Sequence, residues 1–285
     1  MEQRHAYLIL CHNNYPVLEK LLLLLDDGRN DLYIHVDKKW KDFPRQQVEA
    51  LIQRSYVEFI PRRSIAWGGY SMTRTEMDLI RAAVKRPHSY YHIFSGVTLP
   101  LKSQDEIHRF FAEHQGKEFI GTDEHSGNNP LHVVRIRYYY FLQERAGRKF
   151  SFTRKVQDVL VDIQRRLGVN RLKKLPYVIH KGVQWCSITH DLAMHLLENE
   201  KLIRKHFSNS VCADEVFIQT MAFNSRFADR VVKEPICYTD WDRGSPYTFT
   251  AEDYDELIAK PALFARKFDA EKDMQIVDML YERVR

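Results

Sequence analysis

Residues 6–11 are an unbroken apolar run, and nothing else in the chain narrows the fold as much. A run with no polar alternation suits a strand buried on both faces of a parallel sheet. His12-Asn13-Asn14-Tyr15-Pro16 breaks it. Pro16 then opens a helix over 16–25, closed by Asp26-Asp27-Gly28. Residues 32–36 supply a second strand that ends on Asp37. This is a β-α-β unit. In such sheets ligands bind beyond the carboxyl ends of the strands, where His12 and Asp37 both lie.

The pattern continues. We expect helices over 46–54, 73–84 and 105–113 and strands over 57–60, 90–94 and 118–121. Residues 183–189 and 230–238 read as later strands, and 190–198, 252–259 and 273–283 as later helices. The fold class is α/β, with a mostly parallel sheet and helices on both faces. Between them, Arg135 to Lys174 is rich in Arg and Lys. Val156, Leu160, Ile163 and Leu167 mark an amphipathic helix with basic flanks. We read residues 135–181 as a basic excursion from the core, either a solvated face or a contact with an anionic membrane or polyanion.

The length of 285 residues suits one large α/β domain, and the net charge of +5 is too mild to demand nucleic acid. Cys11, Cys186, Cys212 and Cys237 are far apart, without metal-ligand spacing, which fits a reducing compartment. There is no signal peptide and no apolar run long enough for a bilayer, so a cytoplasmic location is expected. Gly-rich phosphate loops of Walker or dinucleotide type are absent, and no Ser or Cys nucleophile motif stands out.

Three short stretches could carry chemistry. In Cys212-Ala213-Asp214-Glu215, two carboxylates precede an apolar helical pattern. Acidic residues there are ordinarily caps, but a carboxylate held on a rigid element can also act as a general base. Phe264-Ala265-Arg266-Lys267-Phe268 places two adjacent cations inside an apolar run. On a strand they would point to opposite faces; in a loop both can reach one anion, joined by Arg243. Asp240-Trp241-Asp242 matches a divalent-metal string, although Asp253-Tyr254-Asp255 shows how easily that match arises.

Taken in order, these pieces resemble glycosyltransferase family 14, the core-2/I-branching β-1,6-N-acetylglucosaminyltransferases and the related peptide O-xylosyltransferases. The matching residues are Cys11-His12, Tyr33-Ile34-His35-Val36-Asp37, Trp67-Gly68-Gly69, Ser95-Gly96 with Leu99-Pro100-Leu101-Lys102, Gly182-Val183-Gln184-Trp185, Ala213-Asp214-Glu215, Asp240-Trp241 and the stretch 264–268. The resemblance implies a single GT-A domain over 1–285 and inverting, metal-independent transfer from a UDP-sugar to a glycan or glycolipid hydroxyl, with no cofactor. It implies Glu215 as general base and Lys267, Arg266 and Arg243 on the diphosphate. It implies His12, Asp37 and Trp67 near uridine, Ser95, Gly96 and Thr98 near the donor sugar, and Trp241 and Trp185 at the acceptor. The resemblance implies GlcNAc transfer of the β-1,6 branching type; relatives often carry an Asp where this chain has Thr98, so transfer of xylose or another hexose is the alternative. Without a membrane anchor, the chain resembles a bacterial-type member building surface polysaccharide, in peripheral contact at most with an anionic membrane. Two other readings stand beside this one. A metal-dependent transferase would use Asp240 and Asp242 and be sensitive to EDTA. An inactive glycan-binding protein would hydrolyse no UDP-sugar.

Overall fold

The computed structural model describes residues 3–122, 130–146, 151–244 and 246–285. Residues 147–150 of the basic excursion and Ser245 of the loop after Asp240 therefore lie outside the described residues. Seven strands form the main sheet: β1 (His5–Cys11), β2 (Asn30–Val36), β3 (Tyr56–Phe59), β4 (Tyr90–Ser95), β6 (Glu118–Phe119), β7 (Ser187–Thr189) and β8 (Val231–Val232). Their order is β3-β2-β1-β4-β7-β6-β8. A second sheet holds β5 (Thr98–Pro100), β10 (Phe264–Arg266) and β9 (Cys237–Thr239), in that order.

β1 is the axis of the molecule. It pairs in parallel with β2 and with β4, and every residue of these three strands is buried. Alternate side chains feed two separate cores. Tyr7, Ile9 and Cys11 pack with Leu18, Leu21 and Leu22 of the helix Tyr15–Leu25 and with Ile276 and Leu280 of the helix Met274–Val284. Ala6, Leu8 and Leu10 pack on the other face with Met77 and Ile80 of Tyr70–Ala83, and with Leu192 and Phe217. The α/β architecture with helices on both faces thus follows from the pleat of one apolar strand. β7 runs antiparallel to both its neighbours, so the sheet is mostly rather than wholly parallel.

Some element boundaries move for local reasons. The strand expected over 230–238 divides in two at Pro235, which cannot donate to a ladder. One half joins the large sheet and the other the small one. The strand expected over 183–189 shrinks to β7, because the residues before it turn into a cavity. The helix Glu200–Phe207 and the strand β5 were not expected from the sequence. The basic excursion leaves the sheet after β6 and returns at β7. It contains the helices Pro130–Arg137, Gln143–Ala146 and Phe152–Arg166. No helix among the described residues is long and apolar enough to cross a membrane.

Glu118 in β6 gives the fold a pH dependence. It is fully buried, and its oxygens accept from the backbone N–H and the hydroxyl of Thr189. Burial pushes its carboxyl up to about 7 against those hydrogen bonds. Between the unfolded and folded values the native state keeps a proton that the unfolded chain has released, so stability falls as pH rises from about 4.5 to about 7. The loss at alkaline pH is on the order of 3 kcal/mol. Glu118→Gln should therefore melt higher relative to wild type at about pH 8 than at about pH 5. An equal difference at both pH values would refute this assignment.

Candidate active site

A cavity of about 890 Å³ opens where β1, β2, β4, β9 and β10 end. His12 follows β1, Asp37 follows β2, Ser95 closes β4, Thr239 closes β9, and Arg266 and Lys267 end β10; all line the cavity. Two close approaches build this convergence. At Gly96 a Cβ would sit 2.7 Å from the Cβ of Cys11, so only glycine lets the turn after β4 lie against the end of β1. Asn14, at a φ of 62°, donates to Asp269 at 2.8 Å and ties the loop after β1 to the loop after β10.

The opposite wall carries the carboxylates. Ala213–Glu215 is a 3-10 turn, and the α-helix Phe217–Phe223 starts only after it. Asp214 and Glu215 are therefore not its caps, as the sequence had suggested they could be. Cys212, at a φ of 49°, donates its N–H to the carbonyl of Gly68, which fastens this turn to the one bearing Trp67. Gly182 donates to the carbonyl of Glu215 at 2.9 Å. A Cβ on Gly182 would fall 1.9 Å from the carbonyl oxygen of Gly121, so this stretch passes the residues after β6 only as glycine.

The two acids differ sharply. Asp214 is buried, and one of its carboxylate oxygens has no hydrogen-bond partner among the described residues. Burial raises its carboxyl well above the usual range, with the charge of Glu215 adding to the effect. Glu76 is raised likewise by burial, then by the charge of Asp214, against a 2.7 Å hydrogen bond from Gln184. Glu215 is the half-exposed member. Arg135 donates to its Oε2 at 2.5 Å, and Lys181 Nζ lies 3.6 Å from the same atom. Both acids line the cavity, and Glu215 is the more exposed of the two and the one paired with cations.

On the other side, Arg266 lies with its guanidinium carbon 4.8 Å from the centre of the Trp185 ring. Its Nε is buried without a partner among the described residues. Among the described residues no carboxylate forms an ion pair with Arg266 or Lys267. His12 is held below the usual histidine range. Partial desolvation by the surrounding protein disfavours its charged form, and Lys39, Lys267 and Arg266 add to this against the opposing charge of Asp37. The site therefore offers an anion two cations that the protein leaves uncompensated.

A family model described as Core-2/I-Branching enzyme matches residues 5–260. The chain belongs to the Core-2/I-branching enzyme family. Among curated relatives, "Xylosyltransferase sqv-6" of Caenorhabditis briggsae is 25% identical over 309 residues, covering 92% of this chain and 36% of the relative. "Xylosyltransferase 2" of Homo sapiens is 21% identical over 304 residues, covering 97% and 33%. The chain spans about a third of the length of the curated relatives it matches. Among solved structures, mouse xyloside xylosyltransferase 1 in its apo form aligns with a TM-score of 0.39 at 11% identity, over 91% of this chain and 96% of that one.

The cavity of this family member gathers most of the residues singled out in the sequence. Glu215, Arg266, Lys267, His12, Asp37, Trp67, Ser95, Trp185 and Trp241 all line it. Three do not. Arg243 is spent on a carboxylate cluster: it donates to Asp240, to Asp253 at 2.6 Å and to Glu256 at 2.8 Å. It therefore organises its own loop rather than reaching the cavity. Gly96 packs on Cys11, and Thr98 is buried in β5 opposite Arg266. Trp185 lines the cavity with its ring against Arg266, and Trp241 is 58% exposed at the lip. Asp240 is bound by Arg243 and accepts from the N–H groups of Asp242 and Arg243, and neither Asp240 nor Asp242 lines the cavity. Arg135 and Lys181, the partners of Glu215, were not singled out in the sequence. Nothing local distinguishes them from the other cations of the basic excursion.

Proposed function

We propose that this protein transfers a sugar, with inversion, from a UDP-sugar to a hydroxyl of a glycan or glycolipid acceptor, without a metal. The observation that carries this reading is one cavity with Glu215 on one wall and the uncompensated Arg266 and Lys267 on another. Glu215 takes the proton of the acceptor hydroxyl as that oxygen attacks the anomeric carbon. The bond to the diphosphate breaks, and its charge is received by Lys267 and Arg266. Asp37 and Trp67 flank the nucleoside end. Asp37 accepts from the N–H groups of Lys39 and Ile65, which fixes that loop. Trp241 offers its exposed ring to the acceptor, whose C–H face suits an aromatic surface.

The resemblance drawn from the sequence implies GlcNAc as the sugar, while the printed names of the relatives point to xylose. UDP-GlcNAc, UDP-xylose and other UDP-sugars tested singly should separate these. The true donor is expected to raise the melting temperature and to be hydrolysed slowly without acceptor. If no UDP-sugar does either, the transferase reading fails, and a glycan-binding role without turnover takes its place.

A further inference from the structure

The helix Phe152–Arg166 carries an apolar stripe that faces outward. At 3.6 residues per turn, Phe152, Val159 and Ile163 fall within about 40° of one another, and Leu167 continues the line. These four are 81%, 57%, 47% and 75% exposed. The side facing the protein is held by other residues. Gln157 and Val161 are buried, and Gln164 exchanges hydrogen bonds with the backbone of Tyr139. An ordinary surface helix buries its apolar stripe; this helix buries Val161 and half-buries Val156 and Leu160, yet leaves Phe152, Val159, Ile163 and Leu167 exposed beside its charged residues. Scattered exposed apolar residues need no explanation, but a continuous outward stripe on one helix does.

The charge around the stripe narrows what covers it. Between 135 and 181 the sequence holds thirteen of the chain's 43 lysines and arginines but three of its 38 acids. The excursion is more basic than the +5 of the whole chain, so the remainder is net acidic. Lys155, Arg165, Arg166, Lys173 and Lys174 are all exposed. A second copy of the chain laid on the stripe would bring like charges together. An apolar line flanked by cations suits a bilayer surface with anionic headgroups, where the ring and aliphatic groups enter the acyl boundary and the cations meet phosphate.

We infer that the face of Phe152–Arg166 docks this protein on an anionic lipid bilayer. The docking helix is fastened to the cavity rim. Gln157 Nε2 donates to Gln143 Oε1 at 3.0 Å, and Gln143 Nε2 donates to the carbonyl of Trp67 at 3.1 Å. Docking thus holds the turn that bears Trp67 in a fixed relation to the lipid surface. The inference does not depend on sugar transfer, and its test does not measure it.

The full chain is floated with phosphatidylcholine vesicles, with and without about 30% phosphatidylglycerol. It should float with the anionic vesicles at low salt, not with phosphatidylcholine alone, and be released by about 0.5 M NaCl. Val159→Ser with Ile163→Ser should weaken this binding about tenfold or more, with an unchanged melting temperature. In a second readout, a polarity-sensitive dye is attached through Phe152→Cys; the native cysteines are all buried. Its emission should shift to the blue on the anionic vesicles only. No flotation at low salt, binding indifferent to the double substitution, or a dimer in sedimentation that the double substitution abolishes would each overturn the inference.

Discussion

Glu215→Gln should abolish transfer and leave affinity for UDP within a few-fold. The amide has the shape of the carboxylate but cannot take a proton, and loss of a positioned general base costs on the order of 10²–10⁴ in rate. The surroundings make this a clean substitution. Arg135 and Lys181 both approach Oε2, so an amide oxygen can occupy that position and keep their contacts. The backbone of the turn is held independently by Gly182 and Gly68. Product formation measured with a labelled donor, beside UDP titration by calorimetry, separates chemistry from binding. A Gln variant that keeps a substantial part of wild-type turnover removes Glu215 from the mechanism. Asp214, already driven toward its neutral form by burial, would not be a ready substitute.

The parts of this molecule that could be read from the chain are those where one physical demand acts locally. The apolar run of β1 and its helix define the sheet because burial on both faces leaves no room for polar alternation. The Arg266-Lys267 pair stands out because two cations in an apolar run call for an anion, and both line the cavity. Other features depend on contacts far apart in sequence. Arg243 looks like any cation of a polar loop until folding brings Asp253 and Glu256 onto it. The contact of Trp185 with Arg266 is equally invisible in the sequence, because it forms only when the end of β10 reaches the residues before β7. The contrast between Asp214 and Glu215, adjacent in sequence, is set by depth and by Arg135, which lies 80 residues away. The outward stripe of Phe152–Arg166 is visible as periodicity, but its direction is a property of the packing alone.

Lys267→Ala should lower turnover strongly, and wild-type activity should survive excess EDTA. The two results belong together. Neither carboxylate of the Asp240-Trp241-Asp242 string lines the cavity, and Asp240 is bound by Arg243, so in the proposed reaction the charge on the leaving diphosphate falls to side chains. Arg266 and Lys267 are the cations at the end of β10 that carry no ion pair among the described residues. Arg266 is fixed by Trp185, while Lys267 can follow the phosphate as a point charge. Charge on the leaving oxygen peaks in the transition state, and removing one donor there typically costs about 10²–10³ in rate. The effect should appear in kcat more than in KM. Activity that disappears with EDTA and returns with Mn²⁺ would overturn this account and require Asp240 to leave Arg243. Arg243→Ala distinguishes the two cases further. On the present geometry it loosens the cluster of Asp240, Asp253 and Glu256 and lowers the melting temperature, whereas a diphosphate ligand would instead reveal itself as a kcat loss in a chain of unchanged stability.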